Sequence, residues 1–149
     1  TYSNQEAFYL FFDKTYNAEG TSDSRYIKMH GRKIYEFACT HVPRAMADCL
    51  DKAGVSIDNV KKIFIHQANE KMDEAIINRF YRIYKKPVPE NIMPMSIHKL
   101  GISSVATIPT LFDLVRRGEM PEHDVETGDV VIFASVGAGM NINALVYRV

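Results

Sequence analysis

The chain has 149 residues, a size that suits one domain able to bury most of the surface that its unfolded form exposes. Lysine plus arginine and aspartate plus glutamate number 18 each, so no overall charge attracts nucleic acid or an anionic membrane surface. Hydrophobic residues make up 46% and charged residues 24%, without a long uninterrupted apolar run, which is typical of a soluble globular protein and excludes a membrane-spanning helix.

The N-terminal part combines a short aromatic run, a turn-rich stretch and a long amphipathic segment. Residues 6–12 are predicted to form a strand, because their aromatic run is bounded by polar residues on both sides. Residues 13–24 favour turns over a packed element. Apolar residues recur at helical spacing over 32–53, so we expect a helix that ends at Gly54. Pro43 lies inside it and predicts a kink or a break, since an interior proline costs about 3 kcal/mol.

The middle of the chain predicts a strand followed by a capped helix. Residues 60–65 form a short apolar strand, and helical spacing returns over residues 70–84. Asn69 is well suited to cap the first turn of that helix. Pro87 and Pro89 are expected to end it.

The C-terminal part predicts an extended piece, a helix and a β-hairpin. The extended piece covers residues 92–97, and the helix runs from Ser103 or Ser104 to Arg117. The hairpin consists of a strand over 129–135, a turn at 137–139 and a strand over 142–149. The alternation of strands and helices implies an α/β layered domain with a mixed sheet.

Both cysteines are expected to be inert core thiols. Cys39 and Cys49 lie within one predicted helix, about 15 Å apart along its axis, so they cannot bridge each other. No signal peptide is recognised, and the cysteine usage predicts a reducing cytoplasm. A start at Thr1, without an initiator methionine, suggests that the sequence is cut from a longer chain.

His66 is the leading candidate for chemistry. It follows a predicted strand and precedes a capped helix, a position where α/β sheets commonly present ligand-binding groups. The positive end of the helix would favour a neutral imidazole. A purely structural histidine, bonded to backbone groups, remains open as an alternative. His66 and Glu70 have the spacing of a metal pair, but no third ligand accompanies them, so we predict no metal site.

The glycine-containing turn at Gly137 and Gly139 has two interpretations. It resembles part of a dinucleotide loop, yet Ile142 stands where a third glycine belongs, and a strand follows instead of a helix. The turn is then either a tight hairpin turn or a device that brings backbone N–H groups close to a substrate oxygen.

Taken in order, several segments repeat the layout of one family. They are Ile27–Ala38, Phe64–Asn69 with its His-Gln-Ala-Asn sequence, Gly101–Pro109, Gly128–Val131 and the turn Gly137–Gly139. The chain from about residue 27 to its end resembles the C-terminal half of a β-ketoacyl-acyl-carrier-protein synthase III, which has the thiolase fold. Residues 1–26 are then a strand and loop leading in from an N-terminal half, and residues 27–149 a thiolase-like domain.

The resemblance implies an acyltransferase of fatty acid or related biosynthesis. Such enzymes load an acyl group from acyl-CoA onto a cysteine of the N-terminal half and condense it with malonyl-acyl carrier protein. No cofactor is expected beyond the coenzyme A thioester that serves as substrate. The expected partners are acyl carrier protein, the N-terminal half of the same chain and a second copy in a full-length homodimer, without nucleic acid or membrane. The isolated fragment lacks the nucleophile and is predicted to be inactive.

The same resemblance assigns roles to individual residues. His66 would be the catalytic hydrogen-bond donor, and Gly137 with Ala138 would form the oxyanion turn. Substrate pantetheine would lie against Gly31, Ala68 and Asn69, and Lys71 would dock the carrier protein. Ile102 occupies the position of the family asparagine, the usual second donor.

Ile102 keeps a second function open. Isoleucine cannot donate a hydrogen bond, and loss of one such donor costs about 2.7 to 4 kcal/mol unless Ser103, Ser104 or His98 replaces it. The alternative is a condensation-deficient acyl-binding or partner subunit of the same fold. An unrelated α/β module with a structural His66 is the third interpretation.

Overall fold

The computed structural model describes residues 5–17, 19–20 and 23–149. Short 3₁₀ turns accompany the main elements at Glu6–Tyr9, Ile57–Asn59, Ser104–Ala106 and Ala138–Met140. The strands are β1 (Leu10–Asp13), β2 (Tyr26–Met29), β3 (Val60–Ile65), β4 (Val130–Gly137) and β5 (Asn141–Arg148). The helices are α1 (Gly31–Lys52), α2 (Glu70–Ile83), α3 (Ile97–Leu100) and α4 (Thr107–Arg116).

A mixed three-stranded sheet forms the centre of the fold, in the order β3-β4-β5. β3 runs parallel to β4, which places Ile65 beside Ala134, and β4 continues through the terminal hairpin into antiparallel β5. β3 is almost uniformly buried, as expected for a strand covered on both faces. The predicted α/β class, the mixed sheet and the C-terminal hairpin are therefore confirmed.

One face of the sheet is covered by α1 and α2. Their apolar stripes meet each other and the sheet in the larger core, where Met46, Leu50 and Phe80 are fully buried. Alternate residues of β5, such as Ala144 and Val146, complete this core from the strand side. This layer forms because apolar residues recur at helical spacing in α1 and α2 and at every second residue in β5, so each element has one apolar face.

The other face is covered by α4 and by Met120 and Val125 from the segment that follows it. Phe64 of β3, Val131 of β4 and Leu111 of α4 are buried there, while Phe112 and Phe133 are only partly covered. Leu145 and Tyr147 on β5 remain 55% and 46% exposed. This face is therefore apolar beyond the area that α4 covers.

Of the two predictions for Pro43, a break is wrong and a kink stays a prediction. α1 runs for 22 residues through Pro43, which is itself buried. Packing against α2 and the sheet on both sides of the proline offsets the lost hydrogen bond, because tertiary burial outweighs local propensity. The predicted end holds, since Gly54 takes the positive φ of 64° that follows the helix.

The N-terminal strand is shorter than predicted. Glu6–Tyr9 forms a 3₁₀ turn, and β1 begins only at Leu10, where pairing with Met29 of β2 begins. Aromatic residues favour strands, but a strand exists only where a partner accepts its backbone hydrogen bonds. The sequence did not reveal β2 or the short α3. The domain boundary predicted between residues 26 and 27 falls inside β2 and stays a prediction.

Within the described residues, no helix combines the length and the hydropathy that crossing a lipid bilayer requires.

Candidate active site

His66 lies at the carboxyl end of β3. Its backbone N–H donates to the carbonyl oxygen of Ala134 on β4 at 3.0 Å, which continues the parallel pairing by one residue. The side chain is partly exposed beyond the buried strand. The sheet thus holds the backbone of His66 while its ring lies at the surface, where a substrate group can reach it.

The residues after His66 lead directly into α2. Asn69 caps this helix, since its side-chain oxygen accepts a hydrogen bond from the N–H of Met72 at 3.2 Å. The predicted cap is confirmed. Ala68, Asn69 and Lys71 are exposed, so the side chains assigned to pantetheine and to the carrier protein lie on the surface beside His66.

Gln67 joins the histidine loop to the segment that follows α2. Its side-chain Nε2 donates to the carbonyl oxygen of Pro94 at 2.8 Å, and its Oε1 accepts from the backbone N–H of Ser96 at 3.0 Å. Gln67 is only 1% exposed. Gln67 was not among the predicted site residues, although a long amide placed next to a buried strand was a usable signal of a structural hydrogen-bonding role.

The loop that carries Ile102 begins just after this connection. The imidazole Nε2 of His98 lies 3.1 Å from a carboxylate oxygen of Glu70, the first residue of α2. Gly101 adopts φ 67° and ψ −159°, a conformation that is nearly restricted to glycine. Ile102 itself is 66% exposed. The loop is thus attached to the histidine segment at two places, and its residue Ile102 exposes an apolar side chain to solvent.

The glycine turn lies at the end of the neighbouring strand. β4 passes Ala134 beside the histidine loop and ends at Gly137, about 10 Å further at the usual rise of a strand. Gly139 has φ 71°, whereas Ala138 does not have a positive φ. An alanine at the middle of this turn therefore causes no backbone strain.

Gly31 lies at the start of α1, apart from the histidine loop in sequence. A Cβ at this position would meet nothing within 4 Å in the described structure, so packing does not require the glycine. The N–H of the preceding His30 donates to the carbonyl of Tyr9 at 2.8 Å, and the Glu6–Tyr9 turn packs against the glycine turn. This segment connects Gly31 with the end of β4.

Two open clefts in the described structure lie beside this N-terminal segment, and His66 lines neither of them. One has a volume of about 450 Å³ and is lined by Gln5, Phe8, Tyr9, His30 and Lys33. The second, of about 360 Å³, extends along α1 to His41. The histidine loop remains the candidate active site, because chemistry at a site depends on the reacting groups and not on cleft volume alone.

A buried carboxyl group lies beneath the histidine loop. Asp73 of α2 is 0% exposed, and neither of its oxygens has a hydrogen-bond partner. Burial, with help from the charges of Glu70 and Glu74, raises its pKa to about 8. Asp73 is therefore mostly protonated at neutral pH. Asp73 precedes the buried residues Ile76, Ile77 and Phe80 by three, four and seven positions, so helical periodicity was a usable signal of its place on the apolar stripe of α2.

Both cysteines belong to α1. Cys39 is buried in α1, and burial raises the pKa of its thiol, which opposes formation of a nucleophilic thiolate. The Sγ of Cys49 lies 3.5 Å from the carbonyl of Ala144. In the described parts of the chain, no group of three or more histidine, cysteine, aspartate or glutamate side chains is placed to hold a metal ion.

Comparisons with known proteins agree with this geometry. Residues 50–149 match the family model "3-Oxoacyl-[acyl-carrier-protein (ACP)] synthase III C terminal". The chain is 33% identical over 137 residues to the β-ketoacyl-[acyl-carrier-protein] synthase III of Porphyra umbilicalis, covering 92% of this chain and 38% of that protein. The chain therefore spans well under half the length of this curated relative.

Solved structures extend the comparison to the fold. The 3-oxoacyl-[acyl-carrier-protein] synthase III of Aquifex aeolicus matches with a TM-score of 0.71 and 26% identity, over 83% of this chain and 37% of that one. The β-ketoacyl-[acyl carrier protein] synthase III of Thermus thermophilus shares the fold with a TM-score of 0.77 at 24% identity, over 96% of this chain and 42% of that one. The fold is therefore that of a thiolase-like half, and the chain belongs to the family of 3-oxoacyl-[acyl-carrier-protein] synthase III C-terminal domains.

Proposed function

We propose that this chain is the C-terminal catalytic part of a type III ketoacyl synthase, which condenses an acyl group from acyl-CoA with malonyl-acyl carrier protein. The observation that carries the proposal is the placement of His66 at the end of β3, held by Ala134 and followed at once by the capped helix α2. The remainder of the protein would supply the cysteine that holds the acyl group. The isolated chain is therefore expected to be inactive.

The proposed role of His66 follows from the charge that the reaction creates. Decarboxylation of a malonyl thioester places negative charge on the thioester oxygen as the enolate forms. A ring N–H that already points to this oxygen stabilises the charge without reorganisation, and it does so more strongly in a dry pocket than in water. In our proposal the backbone N–H groups of the turn at Gly137 and Ala138 stabilise the oxyanion of the acyl-transfer steps.

The surface around His66 suits a long thioester arm. Gly31, Ala68 and Asn69 are exposed and small or polar, which supports their assignment to the pantetheine channel. Lys71 is exposed one turn along α2, where its ammonium can attract an acidic carrier protein. By resemblance, the family has an arginine at this position, and a lysine keeps its positive charge without its planar fork. We further propose that the full-length protein is a cytoplasmic homodimer.

The test separates the two partial reactions in the full-length protein. Acyl loading from acyl-CoA is measured by intact mass, and decarboxylation of malonyl thioester by carbon dioxide release. We expect His66→Ala to lower decarboxylation by roughly 10²- to 10³-fold, the usual effect of losing one such donor, while loading persists. His41→Ala, a substitution on α1, is the control and should leave both reactions nearly unchanged. Equal loss of both reactions in His66→Ala would contradict the proposed role.

A second candidate function is a condensation-deficient acyl-binding or partner subunit of the same fold. It is favoured by Ile102, which is 66% exposed and apolar at the position of the family asparagine. Val105, on the same loop, is 92% exposed. If Ile102 limits the chemistry, Ile102→Asn should raise malonyl thioester decarboxylation. If instead the wild type already condenses well and Ile102→Asn changes nothing, another group fills the role, and the second candidate fails.

A further inference from the structure

The side chain of Gln67 replaces a piece of β-sheet backbone. Residues 92–96 run alongside β3, and the N–H of Ile63 donates to the carbonyl of Ile92 at 2.9 Å. In a regular parallel ladder, the next pair of bonds would join Ile65 to the carbonyl of Pro94 and to the N–H of Ser96. These two groups bond instead to the carboxamide of Gln67, at 2.8 and 3.0 Å.

The reason for the replacement lies in proline chemistry. Pro94 has no N–H, so the ladder loses a bond at this residue and the two backbones can separate. A primary amide carries one donor side and one acceptor side, the same pair of groups that a backbone residue offers to a parallel neighbour. The side chain of Gln67 therefore provides the next step of the pairing between β3 and residues 92–96. The backbone of Gln67 turns away and leads from His66 into α2.

Both ends of this connection carry residues of the proposed site. Gln67 follows His66 directly, and Ser96 immediately precedes the helix that contains His98 and leads to Gly101 and Ile102. Gln67 is 1% exposed and Ser96 5%, so water does not compete for these hydrogen bonds. The Glu70–His98 pair links the same segments but is largely exposed and correspondingly weaker.

We infer that Gln67 is a positioning residue, whose carboxamide sets the distance between the His66 ring and the 98–102 loop across the substrate oxygen. This inference rests on the proposed function. It assigns to Gln67 no contact with substrate. A donor displaced by about 1 Å can cost roughly 10²-fold in rate, so a buried bridge between two site segments affects chemistry more than binding.

The test uses Gln67→Glu in the full-length protein, with malonyl thioester decarboxylation followed across pH. A protonated glutamic acid keeps the donor to Pro94 and the acceptor for Ser96, whereas the ionised form sets a carboxylate against the Pro94 carbonyl. We expect near wild-type kcat at acidic pH and a fall of roughly 10- to 100-fold as pH rises, with KM changed less than kcat. Since Glu70, Asp73 and His98 are ionisable side chains on the same segments, the wild-type profile is the reference.

Two further variants keep the outcome decisive. Gln67→Met has a similar length without hydrogen bonds and should lower decarboxylation at every pH, while acyl loading persists. Asn59→Asp makes the same amide-to-carboxyl change at an exposed position near the other end of β3 and should leave the pH profile unaltered.

The inference and the proposed function fail in different ways. If Gln67→Glu retains the wild-type pH profile, or if loading falls as much as decarboxylation in Gln67→Met, Gln67 is merely structural and the inference is overturned. If His66→Ala itself leaves decarboxylation intact, the proposed function fails, and the inference falls with it.

Discussion

The two faces of the central sheet differ in how completely this chain covers them. On the α1 and α2 face, the large core residues are buried, and Leu50 and Phe80 are fully inaccessible. On the α4 face, one short helix and the segment after it cover part of the sheet, and Leu145 and Tyr147 remain about half exposed. The first face forms a complete core, whereas the second has the apolar character of an interface. The chain spans 38% of its relative from Porphyra umbilicalis, so we expect the remainder of the protein to cover the second face.

The largest effect should come from truncating an aromatic residue on the complete face. Phe80→Ala removes a fully buried ring next to Tyr81 and Tyr84, and should lower the free energy of unfolding by about 3–5 kcal/mol. Tyr147→Ala on the open face is the matched variant and should cost less than about 1 kcal/mol in this chain. Urea denaturation of both variants measures the difference. Similar losses would remove the distinction between the faces.

A second effect concerns the buried carboxyl on the complete face. The pKa of Asp73 is raised to about 8 in the folded state, against about 3.9 in an unfolded chain. Below about pH 4 both states hold the proton, and stability is greatest. As pH rises toward 8 the unfolded state ionises while the folded state does not, so the free energy of unfolding falls by at most about 1.4 kcal/mol per pH unit.

Substitution isolates this contribution. Asp73→Asn keeps the shape of the side chain but cannot ionise, so it should remove a pH-dependent loss of roughly 3 kcal/mol between pH 5 and pH 7.5. The measurement is urea denaturation at both pH values, compared with the wild type. Asp48→Asn, on the exposed side of α1, is the control. If Asp73→Asn and the wild type have parallel pH dependences, Asp73 is not the source.

The smallest effect on stability, but a clear one on association, is expected on the open face. Leu145→Ser replaces an exposed apolar side chain, so it should change the free energy of unfolding of this chain by less than about 1 kcal/mol. It should nevertheless lower self-association in sedimentation velocity, because the apolar area available for contact shrinks. In the full-length protein the same substitution should destabilise, if the face is covered there. Unchanged self-association would indicate that copies of the chain do not associate through this face.

Local signals were sufficient for α2 and for the central sheet. α2 and its Asn69 cap, β3, β4 and the terminal hairpin were all predictable, because hydrophobic period, capping residues and turn glycines are properties of neighbouring residues. The failures involve distant partners. Glu6–Tyr9 is not a strand because no strand among the described residues pairs with it, and α1 continues through Pro43 because other elements pack around it.

The candidate site divides in the same way. His66, Ala68, Asn69 and Lys71 are nearly contiguous, so a single motif was enough to place them on one loop and the first turn of α2. Their catalytic and binding roles stay predictions. Gln67 was overlooked because its partners, Pro94 and Ser96, lie beyond α2 in sequence. Helical spacing from Ile76 and Phe80 could have placed Asp73 on the buried face, but the lack of a partner for its carboxyl group depends on what packs around it.

By itself, the amino-acid sequence determined the α/β class, the family resemblance, the place of His66 after an apolar strand and the absence of a donor at Ile102. These depend on residue type and spacing, which are local. Only the tertiary structure decided that Gln67 would complete the pairing of β3 with residues 92–96, that Asp73 would be buried without a partner, and that one face of the sheet would stay open. Each of these depends on which backbone and side-chain groups approach across the chain, a matter of packing that no local pattern encodes.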